Sequence, residues 1–287
     1  MLSIRRSVGR VSPFPLRIKL RRAIDRRDRF VFFRGSPRRC RLIHETDGVV
    51  TGFRVYADGG QWVKNLGARA FLAIIILAVI MGLLLFIPAG SIHYWEAWVY
   101  LSIFTGASCI ITVYLMITDR ALLERRMKGG PAAEQRPAQK LIMLVVSIAF
   151  VALLVVPGLD HRFGWSRVPV AVTAAGNLMV ATGFFLIALV YRENTFTSAT
   201  IEIAAGQKVI SSGPYAIVRH PMYASASLYL FGTPIALGSY WALLPVAAMI
   251  PFLIWRVFDE EHLLATGLPG YTEYQKSVPY RLLPFVW

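Results

Sequence analysis

The sequence predicts an all-α, polytopic membrane protein, and three observations point there. Hydrophobic side chains make up 56% of the 287 residues and charged ones only 16%, so the chain is too apolar for a water-soluble domain of this length. Four runs reach the roughly 20 apolar residues that a helix needs to cross the hydrocarbon layer. Basic residues alternate between the connecting segments, as the positive-inside rule requires of a multi-span chain.

Residues 1–69 come first and form a basic arm. They hold 17 of the 31 Lys and Arg residues and 5 of the 16 Asp and Glu. Arg21-Arg22, Arg26-Arg27, Arg29 and Arg38-Arg39 crowd it, and Pro13, Pro15 and Pro37 interrupt regular structure. No apolar run is long enough for a signal peptide. The arm reads as a disordered or dispensable extension, with contact to anionic lipid as the alternative. Without a recognisable nucleic-acid-binding fold, no nucleic-acid partner is expected.

The four spans follow within residues 70–191: Ala70 to Pro88, Ala97 to Ile117, Leu141 to Pro157 and Val168 to Tyr191. The segment Thr118 to Lys140 carries six basic residues, whereas Ala89 to Glu96 has none. This phasing puts both termini on the cytoplasmic side of a plasma membrane. Asp160 to Ser166 reads as a solvated turn on the outer side, with Phe163 and Trp165 as interfacial anchors. Asn177 and Gly183 mark a possible helix contact, because small residues permit close approach. Met222 to Trp255 is also apolar but is cut by Gly238-Ser239 and contains Pro234, Pro245 and Pro251. It reads as a hairpin of two further helices, giving about six spans.

Two polar clusters flank that hairpin within residues 192–287. The first is Gly213-Pro-Tyr-Ala-Ile-Val-Arg-His-Pro-Met-Tyr223, preceded by Arg192 and Asn194 at the end of the fourth span. Pro221 suits the first turn of a helix, where a missing amide proton costs nothing, so His220 is expected at a helix start. The second is Arg256-Val-Phe-Asp-Glu-Glu-His-Leu-Leu264, followed by Gly270-Tyr-Thr-Glu-Tyr274 and Val278-Pro-Tyr-Arg-Leu-Leu-Pro284. Arg256 and Glu260 lie four apart on one helix face, and Glu261 is turned about 100° from Glu260. Taken alone, this is an ordinary helix end with an intrahelical ion pair. Brought against the first cluster, cations and carboxylates make a site for a zwitterionic ligand. Cys40 and Cys109 give no disulfide or metal pattern, and His44, His93 and His262 show no metal-type spacing. No metal is expected.

The ordered blocks, with the apolar hairpin between them, resemble the isoprenylcysteine carboxyl methyltransferase family and its bacterial relatives, from Asn194 to Trp287. The resemblance implies an integral membrane methyltransferase that uses S-adenosyl-L-methionine without a Rossmann fold. It also implies a bacterial inner-membrane location. Tyr215, Arg219, His220 and Tyr223 would then surround the methionyl and ribose parts of the cofactor, with Glu260 and Glu261 on its ammonium. Tyr271, Tyr274 and Leu282 would lie against the adenine. Arg256, Glu261 and Asn194 would serve the transfer itself, on a lipophilic, isoprenoid or lipid-like carboxylate or amine. Arg192 is an alternative to Arg256 for orienting a carboxylate, and His220 to Glu261 as a base. Two other readings compete. An NADPH-dependent membrane reductase of the sterol type is disfavoured by the paired glutamates, which repel a 2′-phosphate. A transporter or scaffold is disfavoured by the near absence of charge at mid-span.

Overall fold

The computed structural model describes residues 29–33, 39–46, 49–56 and 60–287, except 130, 135, 202 and 205. It divides into two units, Met1–Gln61 and Trp62–Trp287. In the first unit, Arg29–Phe33 (β1), Arg39–Thr46 (β2) and Val49–Tyr56 (β3) pair as an antiparallel meander in the order β1-β2-β3. The arm was expected to lack regular structure, and these strands depart from that expectation. Thr46 pairs with Val49 across the sequence Asp47-Gly48, the dipeptide favoured in two-residue hairpin connections. Arg21-Arg22, Arg26-Arg27 and Arg38 lie outside the described residues.

The second unit is all-helical. Its long helices are Gly60–Ala89 (α1), Trp95–Thr118 (α2), Pro137–Phe163 (α4) and Val170–Glu193 (α5), with the short Arg120–Arg126 (α3) between α2 and α4. Among the described residues, four stretches are long and apolar enough to cross a membrane: Leu66–Ala89, Trp95–Thr118, Pro137–Phe163 and Val170–Glu193. Each contains or nearly matches one of the expected spans. Their outer faces present Leu72, Ile75, Ile110, Ile148 and Phe185 in the open, as a lipid-facing surface does. The protein is a multi-pass membrane protein.

Helix α4 runs through Pro157 to Phe163 and stops where Gly164 adopts φ +67. The expected solvated turn is therefore partly helix. Asp160 is buried, and it accepts hydrogen bonds from Ser166 Oγ at 2.6 Å and Ser239 Oγ at 2.5 Å. It ties the α4–α5 connection to the turn that holds Ser239. Phe163 and Trp165 are exposed and stacked at 5.5 Å.

Two helices follow, Pro221–Ala236 (α6) and Leu243–Gly267 (α7), and then the short Tyr271–Ser277 (α8). The expected hairpin is present as two helices with a tight connection, but each leans mainly on an earlier span, α6 on α5 and α7 on α4. Neither is among the four stretches that qualify as membrane spans. Glycines explain the α5–α6 choice. A Cβ at Gly183 would meet Tyr229 Cβ at 2.8 Å, and one at Gly232 would meet Met179 Cβ at 2.8 Å. Only hydrogen at these positions lets the backbones approach so closely.

Candidate functional site

Pro221 starts α6 and His220 is its N-cap residue, as the sequence suggests. Just before it, Arg219 N donates to Tyr280 O and His220 N to Arg281 O, both at 2.9 Å. The two polar clusters are thus joined backbone to backbone, although 60 positions separate Arg219 from Pro279, whose carbonyl accepts from Arg219 Nη1 at 3.0 Å. Arg219 Nη1 also reaches Val278 O at 2.9 Å.

Glu261 sits at the centre of this junction, 5% exposed. Its Oε1 accepts from Arg219 Nε at 2.7 Å and lies 3.3 Å from His220 Nε2, while its Oε2 accepts from Arg281 Nε at 2.9 Å. Burial alone would raise its pKa, but the bonds to His220, Arg219 and Arg281 hold the carboxyl down to about 2. Glu261 is an anion fixed among three partners.

Glu260 has a different environment. Tyr223 Oη donates to its Oε2 at 2.8 Å, and Arg256 Nε donates to Tyr223 Oη at 3.0 Å. Arg256 is buried and paired with Glu134 Oε1 at 2.9 Å, and its Nη1 donates to Gln139 Oε1 at 2.6 Å. The Arg256–Glu260 ion pair expected from their spacing is replaced, among the described residues, by this chain through Tyr223. Glu134 and Gln139 come from the segment ahead of α4 and from its first turn. Arg126 Nη1 from α3 donates to Ser198 O at 2.7 Å, so the same region fastens the segment that follows α5.

A cleft opens beside these groups, with about 900 Å³ of atom-free space, part of it continuous with solvent. Asn194, Tyr215, Arg219, His220, Tyr223, Arg256, Glu260, Tyr271 and Tyr274 all line it. Phe196, Ile201 and Val209 from the segment after α5, and Leu263, Leu264 and Leu268 from α7 and its end, supply apolar wall. Asn194 Nδ2 donates to Tyr215 Oη at 2.9 Å, and Tyr274 Oη donates to Tyr215 O at 2.7 Å. Burial pushes the Tyr215 and Tyr271 hydroxyls up, and that of Tyr274 up to about 12. All three therefore stay protonated near neutral pH. The Tyr271 hydroxyl is buried and has no hydrogen-bond partner among the described residues. A buried hydroxyl without a partner is costly, and a ligand atom in the cleft would relieve it.

Two expected site residues stand apart. Glu261 and Leu282 do not line the cleft; Glu261 faces the junction with Arg281, and Leu282 N donates to Trp287 O within its own loop. Arg192 is exposed and also outside the cleft. The residues that sequence reasoning passed over are Arg281, Glu134 and Gln139.

Residues 171–267 match the family model described as phospholipid methyltransferase. That range covers nearly all of α5, the segment after it, α6 and α7, and so includes Asn194, Arg219, His220, Tyr223, Arg256 and Glu260. The protein-S-isoprenylcysteine O-methyltransferase B of Arabidopsis thaliana is 28% identical over 155 residues, 51% of this chain and 73% of that relative. The chain is thus similar to membrane methyltransferases. The range matched by the family model stops short of Tyr271, Tyr274 and Arg281. The far wall of the cleft and one of the cations on Glu261 thus come from outside the matched range, and so do Glu134 and Gln139.

Proposed function

We propose that the cleft binds S-adenosyl-L-methionine and that the protein uses it to methylate a lipophilic acceptor. The observation that carries this reading is the asymmetry between the paired glutamates. Glu261 is engaged by Arg219, His220 and Arg281, while Glu260 lines the cleft and, among the described residues, is held in place by Tyr223. Glu260 offers the anionic surface that an ammonium group needs. The residues fit the rest of that cofactor as well. Tyr271 presents a hydroxyl without a partner among the described residues, and Leu263, Leu264 and Leu268 with Tyr215 and Tyr274 offer apolar and aromatic surface to a base.

When bound, S-adenosyl-L-methionine supplies a methyl group on a positively charged sulfur, transferred by in-line displacement. The chain's own residues then have to align the acceptor and keep water out. Arg256 and Tyr223 fix the Glu260 carboxylate, and Phe196, Ile201 and Val209 cover one side of the cleft. Glu261, with its pKa held near 2 and its oxygens occupied, is poorly placed to accept a proton. That leaves His220, which lines the cleft, as the base an amine acceptor would need, whereas an acceptor that arrives as an anion, such as a carboxylate on a lipid-like body, needs none. The excess of Lys and Arg in residues 1–69 and in Thr118 to Lys140 supports a cytoplasmic position for the cleft.

Calorimetric titration of the detergent-purified protein with S-adenosylhomocysteine, and in parallel with NADPH, tests the reading. Saturable binding of S-adenosylhomocysteine alone is expected. Binding of NADPH alone would move the protein to reductase chemistry, and binding of neither by folded protein would leave the cleft without its proposed ligand.

A further inference from the structure

Beyond the cleft, the segment Pro279 to Trp287 combines internal order with outward apolar side chains. Its backbone closes on itself: Leu282 N and Leu283 N donate to Trp287 O at 2.9 and 3.0 Å, and Trp287 N donates to Leu283 O at 3.1 Å. Its base is fixed to the rest of the unit through Tyr280 O, Arg281 O and the Arg281–Glu261 ion pair. Yet Leu283, Phe285 and Val286 are 56%, 87% and 77% exposed. Phe285 also adopts φ 64, the one non-glycine residue at positive φ among those described. A bulky residue rarely takes this conformation, and here it leaves the ring in the open.

The surface next to this loop identifies what covers it. Trp287 packs edge-on against Phe258 of α7 at 5.8 Å, and the Arg281 guanidinium lies 5.0 Å from the Phe258 ring. Phe258 is itself exposed and continues an open apolar stripe on α7 through Trp255 and Leu244; the separations of 11 and 3 residues keep all three on one helix face. The stripe runs from the apolar body of the protein, whose neighbouring helices cross the membrane, to the 279–287 loop. Exposed apolar surface that is contiguous with a lipid-facing surface, bordered by a cation and ending in aromatic rings, has the make-up of a membrane–water boundary.

We propose that the 279–287 loop is an interfacial anchor that inserts Leu283, Phe285 and Val286 into the lipid beside α7. Arg281 at its base keeps the loop attached to Glu261, and the Tyr280 and Arg281 carbonyls hold the Arg219-His220 pair. Insertion therefore moors the floor of the cleft to the bilayer surface. The inference rests on the membrane spans and the loop geometry, and it stands or falls independently of what the cleft binds.

The test uses the full chain with Cys40 and Cys109 replaced by serine and alanine, reconstituted in nanodiscs of phosphatidylethanolamine and phosphatidylglycerol. A nitroxide is attached in turn at Phe285→Cys, Val286→Cys and, as the reference, Lys276→Cys on the exposed side of α8. Collisions with oxygen, which concentrates in lipid, are compared with collisions with a water-soluble nickel chelate. The expected result is oxygen dominance at 285 and 286 and nickel dominance at 276. Nickel dominance at 285 and 286 would overturn the proposal. Protection from both reagents with spin–spin broadening would also overturn it, by showing that a second copy covers the loop. The two labelled positions are read separately, so loss of one variant leaves the other to decide.

Discussion

Glu260 and Glu261 are neighbours in sequence, yet they belong to two regions of the molecule with opposite characters. On the Glu261 side, each oxygen faces a cation or an imidazole, and the partners come from the start of α6 and from the 279–287 loop. On the Glu260 side, one tyrosine hydroxyl holds the carboxylate, and the cleft lies beyond it. A turn of about 100° along the helix separates a charge that joins parts of the protein from a charge left available to a ligand. The lesson concerns how a paired motif is read. Two adjacent acids need not share a task, and counting the cations around each distinguishes them.

The largest expected effect comes from breaking the joined side. Glu261→Gln removes the counter-charge of the buried Arg219, and truncating one member of a buried pair costs roughly 3 kcal/mol or more. In detergent, the unfolding midpoint should fall by on the order of 10 °C; an unchanged midpoint would mean that the carbonyls of Val278 and Pro279 suffice to hold Arg219. The same carboxyl sets a pH dependence. Its folded pKa lies below the ordinary value of 4.5, at about 2, so its contribution is fully present above about pH 4.5 and is lost as the pH falls toward 2. The stability gap between wild type and Glu261→Gln should therefore narrow across that window. A gap that stayed constant down to pH 2 would contradict the assignment.

Glu260→Gln probes the other side. It should leave the unfolding midpoint within a few degrees, because the residue is only partly buried and has one protein partner. S-adenosylhomocysteine affinity should fall roughly 10- to 100-fold, the usual scale for losing a hydrogen bond to a charged group. If instead the midpoint falls as far as for Glu261→Gln, the contrast between the two glutamates disappears. Glu134→Gln is expected to act more weakly, by about 1–2 kcal/mol, since Arg256 keeps Gln139 and Tyr223. Its binding defect should track that of Arg256→Met when both are titrated, because both would loosen Glu260 through Tyr223.

Much of this arrangement was legible in the sequence. Apolar length alone located the four spans, because the bilayer imposes a minimum that few other structures meet. Pro221 placed His220 at a helix start, and the turn residues around the hairpin brought Arg219 and His220 toward Glu261. What stayed hidden has physical causes. Glu134 lies in a segment whose six basic residues dominate any charge count, so one buried acid there carries no visible signal. Arg281 was read as part of a motif; only the fold shows that its backbone pairs with His220. Pro157 looked like a helix end, but a missing amide proton is tolerated where neighbouring helices hold the backbone, and α4 continues to Phe163. In the arm, the prolines and charges obscured the alternation in Arg39 to Tyr56, although Asp47-Gly48 was a usable hairpin signal.

The finest discrimination between the two regions comes from Tyr271, on the ligand-facing wall. Its hydroxyl is buried without a partner among the described residues, so Tyr271→Phe removes none of their hydrogen bonds and relieves a desolvated polar group. Stability should be unchanged or slightly improved, within about 1 kcal/mol. If the hydroxyl meets a polar atom of the ligand, the same variant should bind S-adenosylhomocysteine about 5- to 10-fold more weakly, the scale of one neutral hydrogen bond. The two readouts move in opposite directions, which a residue serving only to pack the wall could not produce. Equal stability with equal affinity would assign Tyr271 to shape alone and leave Glu260 as the polar determinant on that side of the cleft.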